Sequence, residues 1–482
     1  MTMGIAKKKG ILICFVMTLL FAVTGCANRE EAHGLDKKEP TTITLWHYYN
    51  GIQDITLNQL VTEFNNTVGM ERGIIVDAQS KSSVDDLAMA IKDSARKAVG
   101  AEKLPNIVQT YMDGAIELDE MGIVADFSTY LTQEERAEYM DAYVAAGTFG
   151  KDNQWKLFPI AKSTEILALN KNAWDAFSGD TGISTDELAT WEGVTRTAQA
   201  YYEWSDGESF FGRDAFANYM IVGSKQLGKP IITVENGQAS MELDEAVMKK
   251  LWDNYYVPYV KGYFKQEGRY RTDDLKIGEI VAIVGATSGM VYFPTEVTKG
   301  NEEPQPIDYM ILPLPNFEGT QPCMVLQGAD MAVLSSTEAQ EYASTLFLQW
   351  LTEAEHNTAF AVQAGYLPVK KSANQPGAVT DYIAEHKVVL KQIQQDTIDA
   401  ALTQIASGEL YTLPGFKDGD EVRNLLNDSM NRLAISDRAV VLKQVEDGID
   451  EERALTPYLS QAHFEAWLAD MRQQLEAILS KR

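Results

Sequence analysis

The order of two kinds of segment constrains this chain more than any other feature. Residues 41–46 (TTITLW) alternate and are rich in β-branched side chains, the pattern of a strand. Over residues 55–64 the apolar positions Ile55, Leu57, Leu60, Val61 and Phe64 fall near helical spacing. Residues 74–78 (IIVDA) read as a second strand, and residues 84–99 as a helix with Leu87, Ile91 and Ala95 on one stripe. Residues 107–110 follow as a short buried strand after Pro105. Strands alternating with helices predict α/β architecture and a largely parallel sheet. Ligands of such sheets bind outside the carboxyl ends of the strands.

Farther along, residues 155–170 form an extended run broken by Pro159. Residues 184–204 read as one helix, with Ser184 and Glu187 spaced as a capping box. A strand at 280–284 runs into Gly285-Ala286-Thr287-Ser288-Gly289, and residues 339–351 are helical. The chain breaks at Gly365-Tyr366-Leu367-Pro368 and is mostly helical from Gly419 onward. A length of 482 residues corresponds to about three domains, or two large ones. It allows a substantial core without disulfides or metals.

The first residues carry an address. Lys7, Lys8 and Lys9 precede a nearly unbroken apolar run over residues 11–23, too short for a membrane span of about 20 residues but suited to a signal peptide. Val23-Thr24-Gly25-Cys26 then resembles a bacterial lipobox. The resemblance implies a diacylglycerol on Cys26 and cleavage before it. Residues 1–25 are thus expected to be a lipoprotein signal peptide, and residues 26–40 a lipidated Cys and charged tether reaching at most about 45 Å. The body would sit at the extracytoplasmic face of the cell membrane.

The formal charge is −27, from 69 acidic and 42 basic residues. The signal carries three Lys and no acid, so its removal leaves −30. An excess of carboxylates this large repels phosphate backbones and argues against nucleic-acid binding. Three Cys exclude a disulfide scaffold; with Cys14 removed and Cys26 lipidated, Cys323 stands alone. No HExxH, GxSxG or GxxxxGK[ST] pattern occurs, and the five His are not spaced as a metal pair. Adjacent acids such as Asp85-Asp86 are expected by chance among 69. The residues call for no enzyme activity, cofactor or metal.

Aromatic side chains at strand-to-loop junctions are more informative. Trp46, Tyr48 and Tyr49 mark the end of the first strand, Tyr111 follows the third, and Tyr366 occupies the Gly-Tyr-Leu-Pro turn. Aromatic faces pack on the C–H faces of sugars while placed polar groups meet the hydroxyls, the usual mixture of a ligand site. His47, beside Trp46, is the one His in such a position.

Several stretches, in order, resemble the extracellular solute-binding proteins of ABC importers, of the maltose- and glycerol-3-phosphate-binding type. They are residues 43–48 (ITLWHY), residues 104–113 (LPNIVQTYMD), residues 157–171 (LFPIAKSTEILALNK) and, most specifically, residues 343–369 (ASTLFLQWLTEAEHNTAFAVQAGYLPV). The resemblance covers nearly all of residues 41–440. It implies a two-lobe periplasmic-binding-protein fold (type II), with mixed sheets flanked by helices and a three-strand hinge. Residues 41–160 and 328–410 would form one lobe, and 161–327 and 411–482 the other. The crossings would fall near 159–162, 327–328 and 410–414.

The implied function is capture of a sugar or oligosaccharide between the lobes and delivery to a membrane permease, by a monomer. The implied ligand-binding residues are Trp46, His47, Tyr111, Asp113, Ser163, Thr164, Thr287, Ser288, Gly328 and Tyr366. Asp113, Glu165, Asp214 and Asp330 are candidate acceptors for sugar hydroxyls. The chain departs from the glycerol-phosphate branch at Met112 and Val84, where that branch has Glu and Tyr. It also departs at Pro414-Gly415-Phe416, where an Arg is expected before the last cleft helix. A phosphate needs positive charge or several N–H donors, so these departures favour a neutral sugar. A different solute, glycerol-phosphate-type or peptide-like, and a non-transport sensor or adhesin on the same fold are the alternatives.

Overall fold

The computed structural model describes residues 32–150, 153–235, 238–328, 330–375 and 377–480. The expected signal peptide, residues 1–25, and Cys26 lie outside these residues. Among the described residues no helix is long and apolar enough to cross a membrane.

Two four-stranded sheets organise the body. The first runs in the order Asp330–Val333, Ile107–Thr110, Thr41–His47, Ile74–Ser80. Its last three strands are parallel, as their alternation with helices predicts, with Leu45 opposite Ile107 and Thr41 opposite Ile74. Only Asp330–Val333 runs antiparallel. The second sheet runs Tyr309–Leu312, Glu165–Asn170, Ala282–Ala286, Phe211–Arg213. Only its last pair is parallel, so the expectation of a largely parallel sheet holds for one sheet and the mixed arrangement for the other. Strand Glu165–Asn170 is covered on both faces, and every residue of it is buried.

Each sheet has its own core. Around the first, Ile43, Leu45 and Phe64 pack on Phe347 and Trp350. Around the second, Trp191, Tyr219, Trp252 and Tyr255 join the inner faces of helices Gly419–Glu446 and Gln461–Leu479 through Leu426, Met430, Phe464 and Trp467. Burying each such side chain contributes about 1.5–3 kcal/mol.

Short crossings connect the halves. Phe158 bridges Met331, Lys162 bridges Leu367, and Ser163 bridges Gln327. Strand Cys323–Val325 pairs in parallel with Glu409–Tyr411. Near the expected end of the first lobe at residue 410, one helix touches both halves. Helix Gln392–Ser407 lies between the halves: Ile398, Ala401 and Leu402 meet Val362, Leu367 and Val379. Its Gln404 bonds the second sheet, donating to the Glu165 carbonyl at 2.9 Å and accepting from the Leu314 N–H at 3.0 Å. The single helix expected over 184–204 is divided. Ser184 caps a 3-10 turn, Thr185–Ala189, and the Thr190 hydroxyl caps a new helix, Trp191–Trp204, by accepting from the Gly193 N–H.

Candidate functional site between the lobes

The first wall is aromatic. Tyr48 and Tyr111 stand just past the carboxyl ends of the two central strands of the first sheet. Their rings stack with centroids 6.4 Å apart, and their hydroxyls are 3.5 Å apart. Tyr366 lies parallel to Phe360 and meets Tyr49 at 6.2 Å. Burial pushes the hydroxyls of Tyr48, Tyr49 and Tyr366 above the ordinary tyrosine value, so all three remain neutral donors. Gln109 accepts from the Tyr48 N–H at 3.1 Å, and its buried Nε2 has no partner within hydrogen-bond geometry among the described residues. Asp113 opens helix Met112–Glu120 and is half-buried. Burial raises its carboxyl, while N–H groups at the helix start and Arg423 oppose that rise. At the rim, the buried pair Lys162–Asp330 closes at 2.7 Å, and Asp330 Oδ1 is unpartnered.

The second wall is ionic. Glu165, the first residue of its strand, binds Arg213 Nη2 at 2.8 Å through one oxygen and Asn218 Nδ2 at 2.7 Å through the other. Asn218 Nδ2 also donates to Gln327 Oε1 at 3.0 Å, and its Oδ1 accepts from Arg423 Nη2 at 2.7 Å. Arg213 lies 5.7 Å from the Trp191 ring centre and 5.6 Å from that of Tyr219. Asp214 follows the end of strand Phe211–Arg213 and accepts from the Arg271 N–H at 3.1 Å. Its carboxyl is raised by burial and held back by Arg271 and Arg213. Arg423 faces the first wall. Burial lowers its pKa, and the fields of Glu165, Tyr111 and Asp113 offset this in part.

The sequence-predicted residues separate into groups. Tyr111, Asp113 and Tyr366 lie on the first wall as just described. Ser163 and Gln327 exchange backbone bonds at the crossing, next to Gly328. Thr164 and Thr287 are joined through their backbones at 2.9 Å, and both hydroxyls are buried without partners. Ser288 follows in the 3-10 segment Thr287–Tyr292 and is half-buried.

Trp46 and His47 are elsewhere. Trp46 is 1% exposed, packed with Leu87, Ile91, Val108 and Ala115. Its Nε1 donates to Gln79, and Lys81 Nζ lies 4.0 Å from its ring centre. No face of the indole is open for stacking. His47 is fully buried, with neither ring nitrogen hydrogen-bonded. Tyr48, Gln109, Asn218 and Arg423 complete the walls and were not among the expected site residues. Tyr48 had the right signal, an aromatic residue beyond a strand end. Arg423 lies inside helix Gly419–Glu446, whereas the Arg was expected before a helix. Among the described residues no group of three His, Cys, Asp or Glu side chains could hold a metal ion.

Two lobes on mixed sheets, joined by short crossings and facing each other through polar and aromatic walls, are the architecture of two-lobe periplasmic binding proteins. The sequence model of the bacterial extracellular solute-binding protein family matches residues 59–388, and the chain belongs to that family. Solved structures share the fold. The cyclic alpha-maltosyl-1,6-maltose binding protein of Arthrobacter globiformis aligns with a TM-score of 0.70 at 16% identity, covering 92% of this chain and 100% of that one. UgpB of Mycobacterium tuberculosis, in complex with glycerophosphocholine, aligns at 0.66 and 16%, covering 92% and 99%. The maltotriose binding protein of Thermus thermophilus, bound with maltotriose, aligns at 0.58 and 16%, covering 91% and 100%. At such identities the likeness is one of fold. Among curated proteins none matches the sequence.

Proposed function

We propose that this protein is the solute-capturing component of an ABC importer, tethered by lipid on Cys26, and that it closes its lobes on a sugar or oligosaccharide for delivery to a permease. The observation that carries the reading is the pairing of an aromatic wall with a polar, charged one. Stacked tyrosines offer faces to sugar C–H groups, and Asp113, Asp214 and Gln109 offer acceptors and a donor to hydroxyls. Ser163, Thr164, Thr287, Ser288 and Gly328 would complete the site from the crossing and the second lobe. Trp46 and His47 would support the first wall from behind. Binding would favour the closed arrangement because the solute touches both lobes. The sugar-binding relatives of the same fold support this reading.

One observation favours a glycerol-phosphate-type solute instead. Lys156, Lys162, Arg213 and Arg271 are buried and each has a carboxylate within 4 Å. Arg423, half-buried, has Asn218 as its hydrogen-bond partner, and among the described residues no carboxylate pairs with it at that range. An anionic group on the solute would match it.

A thermal-shift screen separates the two. A solute that binds only the folded chain adds about 2.7 kcal/mol at a hundredfold excess over Kd. Oligosaccharides are expected to raise the melting temperature more than glycerol phosphates or glycerophosphodiesters; the reverse order selects the second reading. A chain that responds to neither class and supports no uptake is a sensor or adhesin instead. Membrane partitioning should disappear in Cys26→Ser, and partitioning that persists overturns the lipid tether.

A further inference from the structure

Two glycines lie where one lobe closely approaches the other. Gly365 ends helix Ala354–Ala364 on the first lobe, one residue before Tyr366. A Cβ there would lie 3.0 Å from Val291 Cγ1 and 3.1 Å from Ser288 Cα, both in the 3-10 segment of the second lobe. Gly415 precedes Phe416, which belongs to the second core. A Cβ there would lie 2.4 Å from Met112 Cγ, 2.6 Å from Met112 Sδ and 2.9 Å from Ile116 Cδ1, on the first-lobe helix that carries Asp113. Carbon atoms in contact sit about 3.5–4.0 Å apart, so neither site admits a methyl group without separating the surfaces or displacing a neighbour. Each lobe supplies one glycine and receives the other.

The geometry points to Gly365 and Gly415 as positioning residues that set how far the lobes close. They act on solute affinity through the open–closed equilibrium, without touching the solute. A solute binds more weakly, by that fraction, to a protein whose competent state is only partly populated. A side chain at either rim would lower the population of the closed state. This inference rests on the two-lobe capture reading but concerns the free chain. Its test therefore uses no solute, and a failed solute screen leaves it standing.

Gly365 is a poor first variant, because its φ of +74° makes any side chain strained whatever the space. Gly415 has no such constraint. The experiment is small-angle scattering of the full chain as wild type, Gly415→Val, and the triple variant Met112→Ala/Ile116→Ala/Gly415→Val, which removes both side chains that a Cβ at 415 would meet. A compact chain of this length has a radius of gyration of about 23 Å. Gly415→Val is expected to scatter with a larger radius, and removal of the Met112 and Ile116 side chains is expected to restore the wild-type curve. A Gly415→Val curve identical to wild type overturns the proposal. So does expansion that the two alanines fail to reverse, since that reports local disruption of the loop rather than a size conflict between lobes. Circular dichroism melting of the three proteins shows that each is folded.

Discussion

The two walls of the cleft are built from different chemistry. The first is carried by Tyr48, Tyr49, Tyr111 and Tyr366, neutral groups placed at strand ends and in one turn. The second is carried by Glu165, Arg213, Asn218 and Arg423, joined by hydrogen bonds of 2.7–2.8 Å drawn from four separate segments. A neutral aromatic wall tolerates loss of one ring, because its neighbours still exclude water. A buried ionic wall does not, because each charge depends on its partner for compensation. The first wall should therefore govern affinity, and the second the integrity of the lobe that holds it.

The sharpest way to break this contrast is Glu165→Ala. It strands Arg213, whose side chain is 1% exposed and whose carboxylate partner is 2% exposed. Loss of one member of a buried pair costs about 3–5 kcal/mol. Urea denaturation should show a loss of that order; a loss under about 1 kcal/mol would mean that Arg213 finds other compensation and that the wall is not a coupled unit.

Behind the first wall the expected effect is nearly as large but depends on pH. Burial pushes the His47 imidazole from 6.5 down to about 4, with Asp54 opposing. The unfolded chain takes up a proton near pH 6.5 that the folded chain refuses until about pH 4. The contribution of His47 is thus complete above pH 6.5 and is lost as pH falls through that window, about 3 kcal/mol in all. Stability measured across this range should fall less steeply in His47→Gln than in wild type. Equal slopes would show that other groups carry the acid sensitivity.

The sequence revealed the first lobe better than the second for physical reasons. Strands Thr41–His47, Ile74–Ser80 and Ile107–Thr110 alternate with helices of clear apolar period, and parallel pairing follows from that order. The second sheet takes strands from distant segments in both directions, so local pattern does not reveal its register. Within the site, Trp46 and Tyr48 have equal aromatic credentials in the sequence. The strand ends between them: Trp46 is buried among Leu87, Ile91 and Lys81, whereas Tyr48 packs against the edge of that cluster and stays partly exposed. Arg423 was missed because the expectation concerned the loop before the helix. In helix Gly419–Glu446 Val422 and Leu426 turn into the core, and Arg423, one residue past Val422 on the helix, reaches Asn218. The helix Gln392–Ser407 gives no local sign of which lobe it belongs to, because its apolar residues serve two clusters at once.

Loss of one aromatic face should be smaller and confined to binding. Tyr111 is 42% exposed and stacks on Tyr48 alone among the ring contacts it makes. Tyr111→Ala is expected to leave the melting temperature of the free chain nearly unchanged. It should weaken the solute found by the screen by about 1.5–3 kcal/mol, the value of burying one aromatic side chain. Isothermal calorimetry on the two proteins measures this directly. Unchanged affinity would move the solute away from the first wall.

The smallest expected effect decides the place of Trp46. Lys81 covers the indole and also pairs with Glu102 at 2.9 Å. A partly exposed cation over an aromatic face contributes about 0.5–1 kcal/mol. Lys81→Ala should lower stability by about that amount and shift the tryptophan emission, because a charge no longer lies over the ring. If Trp46 only supports the wall from behind, solute affinity should stay at the wild-type value in this variant. A gain in affinity would mean that the uncovered indole becomes a stacking surface, and that Lys81 acts as a movable cover over a second aromatic face of the site.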